Sequence, residues 1–242
     1  MRILVINPNT TAAMTGGIAV AARAAASPDV EIIAVNPEFG PPSIEGYYDE
    51  VFSIPGVIAE MQKAGDVDAT IIACFDDTGL DAARCFSAAP VVGIGEAAYH
   101  FASMIAHKFG VVTTLARSIA PIEHNLHKYG LFNRCSGVRA ANVAVLELER
   151  PGSKARMDIE GEIERAVRDD GAEAIVLGCA GMADLARHLS QAAGVPVLDG
   201  IACAVTLAEG MARLGLRTSK IKTYAAPLAK PYSGVFASYS PR

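Results

Sequence analysis

Residues 173–182 read "EAIVLGCAGM" and residues 69–79 read "ATIIACFDDTG". Each is a short apolar run that reaches a cysteine and then turns. Near-continuous Ile, Val, Leu and Ala without polar alternation marks a strand buried on both faces, as in parallel sheets. Six more such runs are expected as strands: Ile3–Asn7, Glu31–Val35, Val91–Ile94, Gly110–Thr114, Asn142–Leu148 and Val195–Leu198. Alanine-rich stretches with helical spacing lie between them, among them Thr11–Ala26, Ile54–Ala64 and Met157–Asp170. Alternation of this kind predicts an α/β protein whose parallel-type sheets are flanked by helices.

The order repeats. Cys74 and Cys179 stand 105 positions apart, "PVVGIG" at Pro90 and "PVLDGI" at Pro196 stand 106 apart, and "RILVINPNT" at Arg2 and "FGVVTTLAR" at Phe109 stand 107 apart. Three landmarks in one order at nearly one spacing predict two pseudo-symmetric lobes. Ligands of open parallel sheets bind beyond the carboxyl ends of the strands. Facing lobes would therefore present both cysteines to a single cleft. A helix following each one is expected to lower the thiol pKa below about 8.5.

Composition bounds the rest. The chain has 242 residues, of which 51% are hydrophobic and 19% charged, enough for a sizeable core. A net charge of −5 with no basic cluster argues against nucleic acid as a partner. No run of about 18 uncharged apolar residues predicts a membrane span. "MRILVINPNT" enters a strand at once, unlike a signal peptide, so the expected location is cytoplasmic. Five cysteines without a CxxC pair argue against a disulfide framework. The alanine-rich, weakly charged chain suggests a homo-oligomer.

Two opposed thiols suit one reaction in particular. Inverting a carbon with an acidic C–H needs a base on one face and an acid on the other, and a thiolate and a thiol can exchange these roles. A substrate activated by its own carbonyls needs no metal and no organic cofactor, so none is expected. Strand cysteines are more often packing, which is the reading kept for Cys85, Cys135 and Cys203. Asn9 and Thr10 at the first strand end, and Thr113 and Thr114 at its counterpart, offer donors for ring carbonyls and an enolate. They equally suit turns or N-caps. Of Asp76 and Asp77, at least one is expected to cap the next helix, because a carboxylate beside Cys74 raises the thiol pKa. "GIGEAA" at Gly93 fits a loose dinucleotide pattern but lacks the acidic residue about 20 positions on. His124 and His127 beside Glu123 have no further ligand set and read as a solvated face. Glu96 is assigned to neither wall nor cleft.

Several of these motifs also carry a family resemblance. "NPNT", "SIEGYYDE" from Ser43, "ACFDDTGLDAAR" from Ala73, "VVGIGEAA" from Val91, "VVTTLARS" from Val111, "EAIVLGCAGM" and "TSK" from Thr218 resemble the hydantoin racemase branch of the aspartate/glutamate racemase superfamily. The resemblance spans nearly the whole chain. It implies cofactor-independent 1,1-proton transfer with Cys74 and Cys179 as the catalytic pair. It also implies interleaved lobes, here placed at 1–97 plus 208–242 and at 98–207. Amino-acid racemases of the superfamily have Asn-Thr after the first cysteine and Thr-His after the second. Phe75 and Ala180 stand there in this chain and suit a flat, uncharged ring, so a 5-substituted hydantoin is the implied substrate, with allantoin leading. Ser43 and Ile44 resemble a loop that closes on the ring, and Gly178 joins the binding set beside Cys179. Three rivals stand: another superfamily activity on an amino acid or dicarboxylate, a binding protein without catalysis, and a disulfide switch between the two thiols.

Overall fold

Apolar runs too short for helices settle into strands wherever the chain can bury both of their faces. In the computed structural model these are β1 (Arg2–Ile6), β2 (Glu31–Val35), β3 (Ala69–Ile72) and β4 (Val91–Gly93) of one sheet, and β5 (Phe109–Thr113), β6 (Cys135–Ala140), β7 (Ala174–Gly178) and β8 (Val197–Leu198) of another. The structure describes residues 1–150 and 152–241, without the side chains of 149, 183–185 and 187. Both sheets are parallel, with orders β2-β1-β3-β4 and β6-β5-β7-β8. The two orders are the same once the second set is renumbered from its own start, which is the pseudo-symmetry the repeat predicts.

Helices α1 (Ala12–Ala25), α2 (Tyr47–Ala64), α3 (Leu80–Phe86) and α4 (Ile94–Ile105) alternate with the first strands. Helices α5 (Ile119–Lys128), α6 (Ala155–Asp169), α7 (Ala186–Ala193) and α8 (Gly200–Arg213) alternate with the second. Successive side chains of a strand point to opposite faces, and here both faces are covered. Leu4 and Ile6 of β1 join Val57, Met61 and Leu80 under α2 and α3. Ile3 and Val5 point the other way, into a core that also holds Val111, Val176, Ile94, Tyr99 and Ile201. The outer face of the second sheet has its own cluster, with Val112, Ile175 and Leu177 against Ile159 and Ile163 of α6.

The middle layer joins the two sheets. Helix α4 leaves the first sheet and packs against β7 of the second, while α8 leaves the second and packs against β3 and β4 of the first. The two helices also pack on each other. The chain after α8 then returns to α3. Thr218 N–H donates to Ala88 O (3.0 Å), and Lys220 Nζ donates to the carbonyls of Arg84 (2.6 Å) and Cys85 (3.0 Å) at the helix end. A cation is favourable there because the last carbonyls of a helix have no partner within it.

Two elements differ from the sequence reading. Asn142–Leu148 is not a strand: residues Val145–Glu149 form a 3-10 turn, and the edge position belongs to Cys135–Ala140. "CSGVRA" interrupts its apolar residues with Ser, Gly and Arg and every residue of it is half-buried, so this edge strand carries no apolar run to find. Helix α2 begins at Tyr47 rather than Ile54. Pro55 reads as a first-turn proline, yet the helix continues upstream of it, with Asp49 and Glu50 in the true first turn.

The glycines of "GIGEAA" are explained by packing. A Cβ on Gly93 would lie 2.0 Å from Asp77 Oδ1, and one on Gly95 would lie 2.4 Å from Phe75 O. Gly93→Ala is therefore expected to cost about 3 kcal/mol through overpacking, measured as a lower urea midpoint with unchanged slope. A loss under about 1 kcal/mol would contradict this close approach.

Candidate active site

Strand β3 ends two residues before Cys74, and β7 ends immediately before Cys179. Both thiols line one cleft of about 410 Å³, counted with the solvent at its mouth. Among the described residues no disulfide joins the five cysteines. The cleft's apolar wall is Met14, Ile44, Phe75, Val145 and Ala180, and its polar groups are Asn9, Asp76, Thr114 and Ser118. Among the described lining residues none carries a positive charge.

Asn9 is held by its neighbours. Its Oδ1 accepts from Asn7 Nδ2 (2.9 Å) and from Thr11 N–H (2.9 Å), so the amide group Nδ2 faces Met14 Sδ at 3.2 Å. A thioether is a weak acceptor, so this donor remains available to a better one. Phe75 stands edge-on to Tyr99, with ring centroids 5.3 Å apart, and Tyr99 stacks on Phe109. The wall next to Cys74 is thus the end of an aromatic row that runs into the core.

The loop between β2 and α2 folds over the strand ends. Thr10 N–H and Thr11 Oγ1 donate to the carbonyls of Pro41 (3.0 Å) and Pro42 (2.6 Å). Glu45 Oε1 accepts from Val145 N–H at 3.1 Å, tying this loop to the segment after β6. Ile44 and Val145 consequently face the cleft from different lobes.

Cys74, Cys179, Asn9, Ile44, Phe75, Thr114, Gly178 and Ala180 all line the cleft. Three other sequence candidates lie outside the lining: Thr10, whose N–H donates to Pro41 O, Thr113 and Ser43. Thr113 is buried and its hydroxyl donates to Gly178 O (3.1 Å), where it fixes β5 to β7. Ser43 is half-buried and stands outside the lining. The sequence did not single out Met14, Ser118 or Val145. Ser118 precedes α5 and Val145 sits in the 3-10 turn first read as a strand, so only the tertiary fold brings them in.

The expected depression of the Cys74 pKa is not found. Burial pushes the thiol well above its usual value, and the charge of Asp76 adds to this. Thr78 Oγ1, donating to Sγ at 3.3 Å, and the Asp76 N–H oppose both effects without reversing them. The physical reason is local: burial and the neighbouring Asp76 charge outweigh the two hydrogen bonds made to the sulfur. Asp77 also departs from the reading. It caps α4 rather than α3, accepting from Gly95 N–H (3.0 Å), Glu96 N–H (2.8 Å) and Tyr129 OH (2.8 Å). Its backbone has φ of 52°, a left-handed conformation that Asp tolerates better than most residues.

The remaining motifs have structural surroundings. Glu96 pairs with Arg84 at 2.5 Å. His124 Nδ1 lies 3.3 Å from Tyr47 OH, and His127 stacks on Phe132. Cys203 is buried in the core, where burial raises its thiol to about 12, and the thiol of Cys135 is likewise raised to about 11. Cys85 Sγ lies 3.5 Å from Thr223 O.

Comparison with known proteins agrees with this architecture. The Asp/Glu/Hydantoin racemase family matches residues 3–208. A hydantoin racemase of Pseudomonas sp. (strain NS671) is 48% identical over 241 residues, spanning 99% of this chain and 97% of that protein. The solved allantoin racemase from Klebsiella pneumoniae is 45% identical, with a TM-score of 0.96 and 100% of each chain covered. That from Pseudomonas fluorescens is 46% identical with a TM-score of 0.92, covering 97% of this chain and 100% of its own. The fold and the comparisons define a racemase, an isomerase acting on a small molecule. The chain belongs to the Asp/Glu/Hydantoin racemase family. Among the described residues no helix is long and apolar enough to cross a membrane.

The two buried carboxyls make stability depend on pH. Burial raises both Asp76 and Asp77 from 3.8 to about 7. Across that window the folded chain keeps protons that the unfolded chain releases, so stability falls as pH rises through it. Asp76→Asn removes one of the two groups. The variant is expected to gain on wild type in urea midpoint as pH goes from about 4 to about 8. A constant difference across that range would show that Asp76 ionises normally.

Proposed function

We propose that the protein racemises 5-substituted hydantoins, with allantoin the leading substrate, by two-base proton transfer at C5 between Cys74 and Cys179. The observation that carries this reading is that equivalent strand ends of the two sheets bring both thiols to one cleft. One thiolate takes the C5 proton while the opposite thiol gives its own to the other face, and the roles reverse for the other enantiomer. The charge that develops on the ring carbonyls is met by hydroxyls and amide donors, for which Asn9 Nδ2, Thr114 and Ser118 are in place. The adjacent carbonyl supplies the acidity of C5–H, so neither metal nor organic cofactor takes part.

The lining also favours a neutral ring over a free amino acid. An α-carboxylate, and still more a dicarboxylate, calls for a cationic partner when it is desolvated. The described cleft offers Asp76 and no cation. Phe75, Ile44 and Val145 instead suit the faces of a flat heterocycle. The names of the Pseudomonas and Klebsiella relatives point to the same substrate class. Racemisation of an amino acid, a dicarboxylate isomerase and a binding protein without catalysis are the alternatives.

Two further assignments belong to the same proposal. The lobes divide as 1–97 with 208–242, and 98–207, with α4 and α8 as the crossing helices. The chain self-associates in the cytoplasm. Ile221, Leu228, Val235 and Phe236, each at least 50% exposed, support this by offering apolar surface beyond α8; a monomer in sedimentation at micromolar concentration would refute it.

Single enantiomers of allantoin and of 5-benzylhydantoin, incubated in D2O, test the chemistry. Loss of optical rotation should accompany deuterium entry at C5. Cys74→Ser and Cys179→Ser should each reduce the rate by about 1,000-fold. Binding of either ring without exchange above background would leave a receptor in place of an enzyme.

A further inference from the structure

The chemistry above leaves Asp76 without a role. The residue is 9% exposed, and no hydrogen bond or cation among the described residues offsets the burial of the carboxyl. Its partners are on the backbone: the N–H acts on the Cys74 thiol, and the carbonyl oxygen accepts from Asn125 Nδ2 at 2.9 Å. A buried acid without a partner is costly and needs an explanation.

Asp76 lines two cavities at once. One is the thiol cleft. The other is a pocket of about 560 Å³, solvent at its mouth included, walled by Tyr47 and Glu50 of α2 and by Pro121, His124, Asn125 and Lys128 of α5. The ionisable groups around Asp76 are therefore Cys74 and Cys179 in the cleft, Asp77 beside it in the chain, and Tyr47, Glu50, His124 and Lys128 in the second pocket. The carboxyl forms a wall between the reacting thiols and a separate body of solvent.

A two-thiol racemase has a need that such a wall can meet. After one turnover the base has become a thiol and the acid a thiolate. Before the same enantiomer can react again, the first cysteine must lose a proton and the second must gain one. We propose that Asp76, backed by Glu50, carries protons between Cys74 and the solvent of the second pocket and so resets the thiol pair between turnovers. This rests on the two-thiol reading given above.

The step balances without an added reagent. The S–H bond of Cys74 breaks and an O–H bond forms on the Asp76 carboxylate, leaving the thiolate. Asp76 then passes the proton to Glu50 or to water in the second pocket. The Cys179 thiolate takes one proton from water at the mouth of the cleft. One proton leaves, one arrives, and no electron pair changes centre. For the opposite enantiomer the same path runs in reverse. A carboxyl raised to about 7 suits this work, since it gives and takes protons near neutral pH.

Asp76→Asn and Glu50→Gln test the relay, with a single enantiomer of whichever ring racemises faster in the experiment above. A single turnover by Glu50→Gln, with enzyme in excess, should stay within about threefold of wild type, because Glu50 stands outside the thiol cleft and a single turnover needs no reset. The steady-state kcat should fall by about tenfold or more and should recover on adding acetate or imidazole, which carry protons in place of the missing acid. Equal loss in both regimes would place Asp76 on the substrate instead. An unchanged kcat, or a loss that added buffer does not repair, would likewise overturn the relay. Should Asp76→Asn fail to fold, the half-buried Glu50 gives the same split by itself, and a wild-type kcat there overturns the proposal. Cys74→Ser run alongside keeps the two readings apart. Racemisation by that variant would sink the two-thiol reading, whereas an inactive Cys74→Ser beside an unaffected Asp76→Asn removes the relay alone.

Discussion

The carboxylate of Asp77 is the contact on which the geometry of the cleft depends. It leaves the turn that carries Cys74 and accepts two N–H bonds from the first turn of α4, with Tyr129 OH as a third donor. Helix α4 then lies against β7, the strand that ends in Cys179. One buried acid therefore connects the turn of one thiol to the helix that supports the other. Its left-handed backbone and the two glycines it approaches at Gly93 and Gly95 are the local cost of that connection. Burial without a cation raises its pKa, and the three donors limit the rise.

Most of the scaffold was legible because its strands are buried on both faces. An unbroken apolar run such as Ala174–Gly178 signals its own structure, and two sets of such runs at one spacing disclose the repeat. What escaped was decided by contacts distant in sequence. Cys135–Ala140 is an edge strand with half-buried side chains and no apolar run. Thr113 ends a strand beside Thr114, but its hydroxyl donates across to Gly178 O, a contact distant in sequence. The cleft residues Met14, Ser118 and Val145 sit on three different elements that only folding brings together. The thiol pKa was misjudged for a related reason. Burial, which only the folded chain discloses, raises it, and Asp76 two residues away adds to the rise.

The same acids give the cleft its chemical bias. A site with two thiols, a neighbouring carboxyl and no cation among its described lining residues is poor at holding anions but tolerant of a neutral ring with polarised carbonyls. Burial and the charge of Asp76 hold the Cys74 thiol back from ionising. Aromatic packing of Phe75 against Tyr99 fixes the wall beside Cys74.

The crossing of α4 and α8 has a consequence for how the chain is made. Helix α8 covers β3 and β4, yet it comes more than 100 residues after them. A ribosome that has released the whole first sheet has still not supplied the helix that closes it. The inner faces of β3 and β4 must wait through synthesis of the entire second sheet, and contacts this distant in sequence form slowly. Neither half is a module that could be produced, swapped or lost alone, so two lobes that look like copies of one ancestor now fold as a single unit.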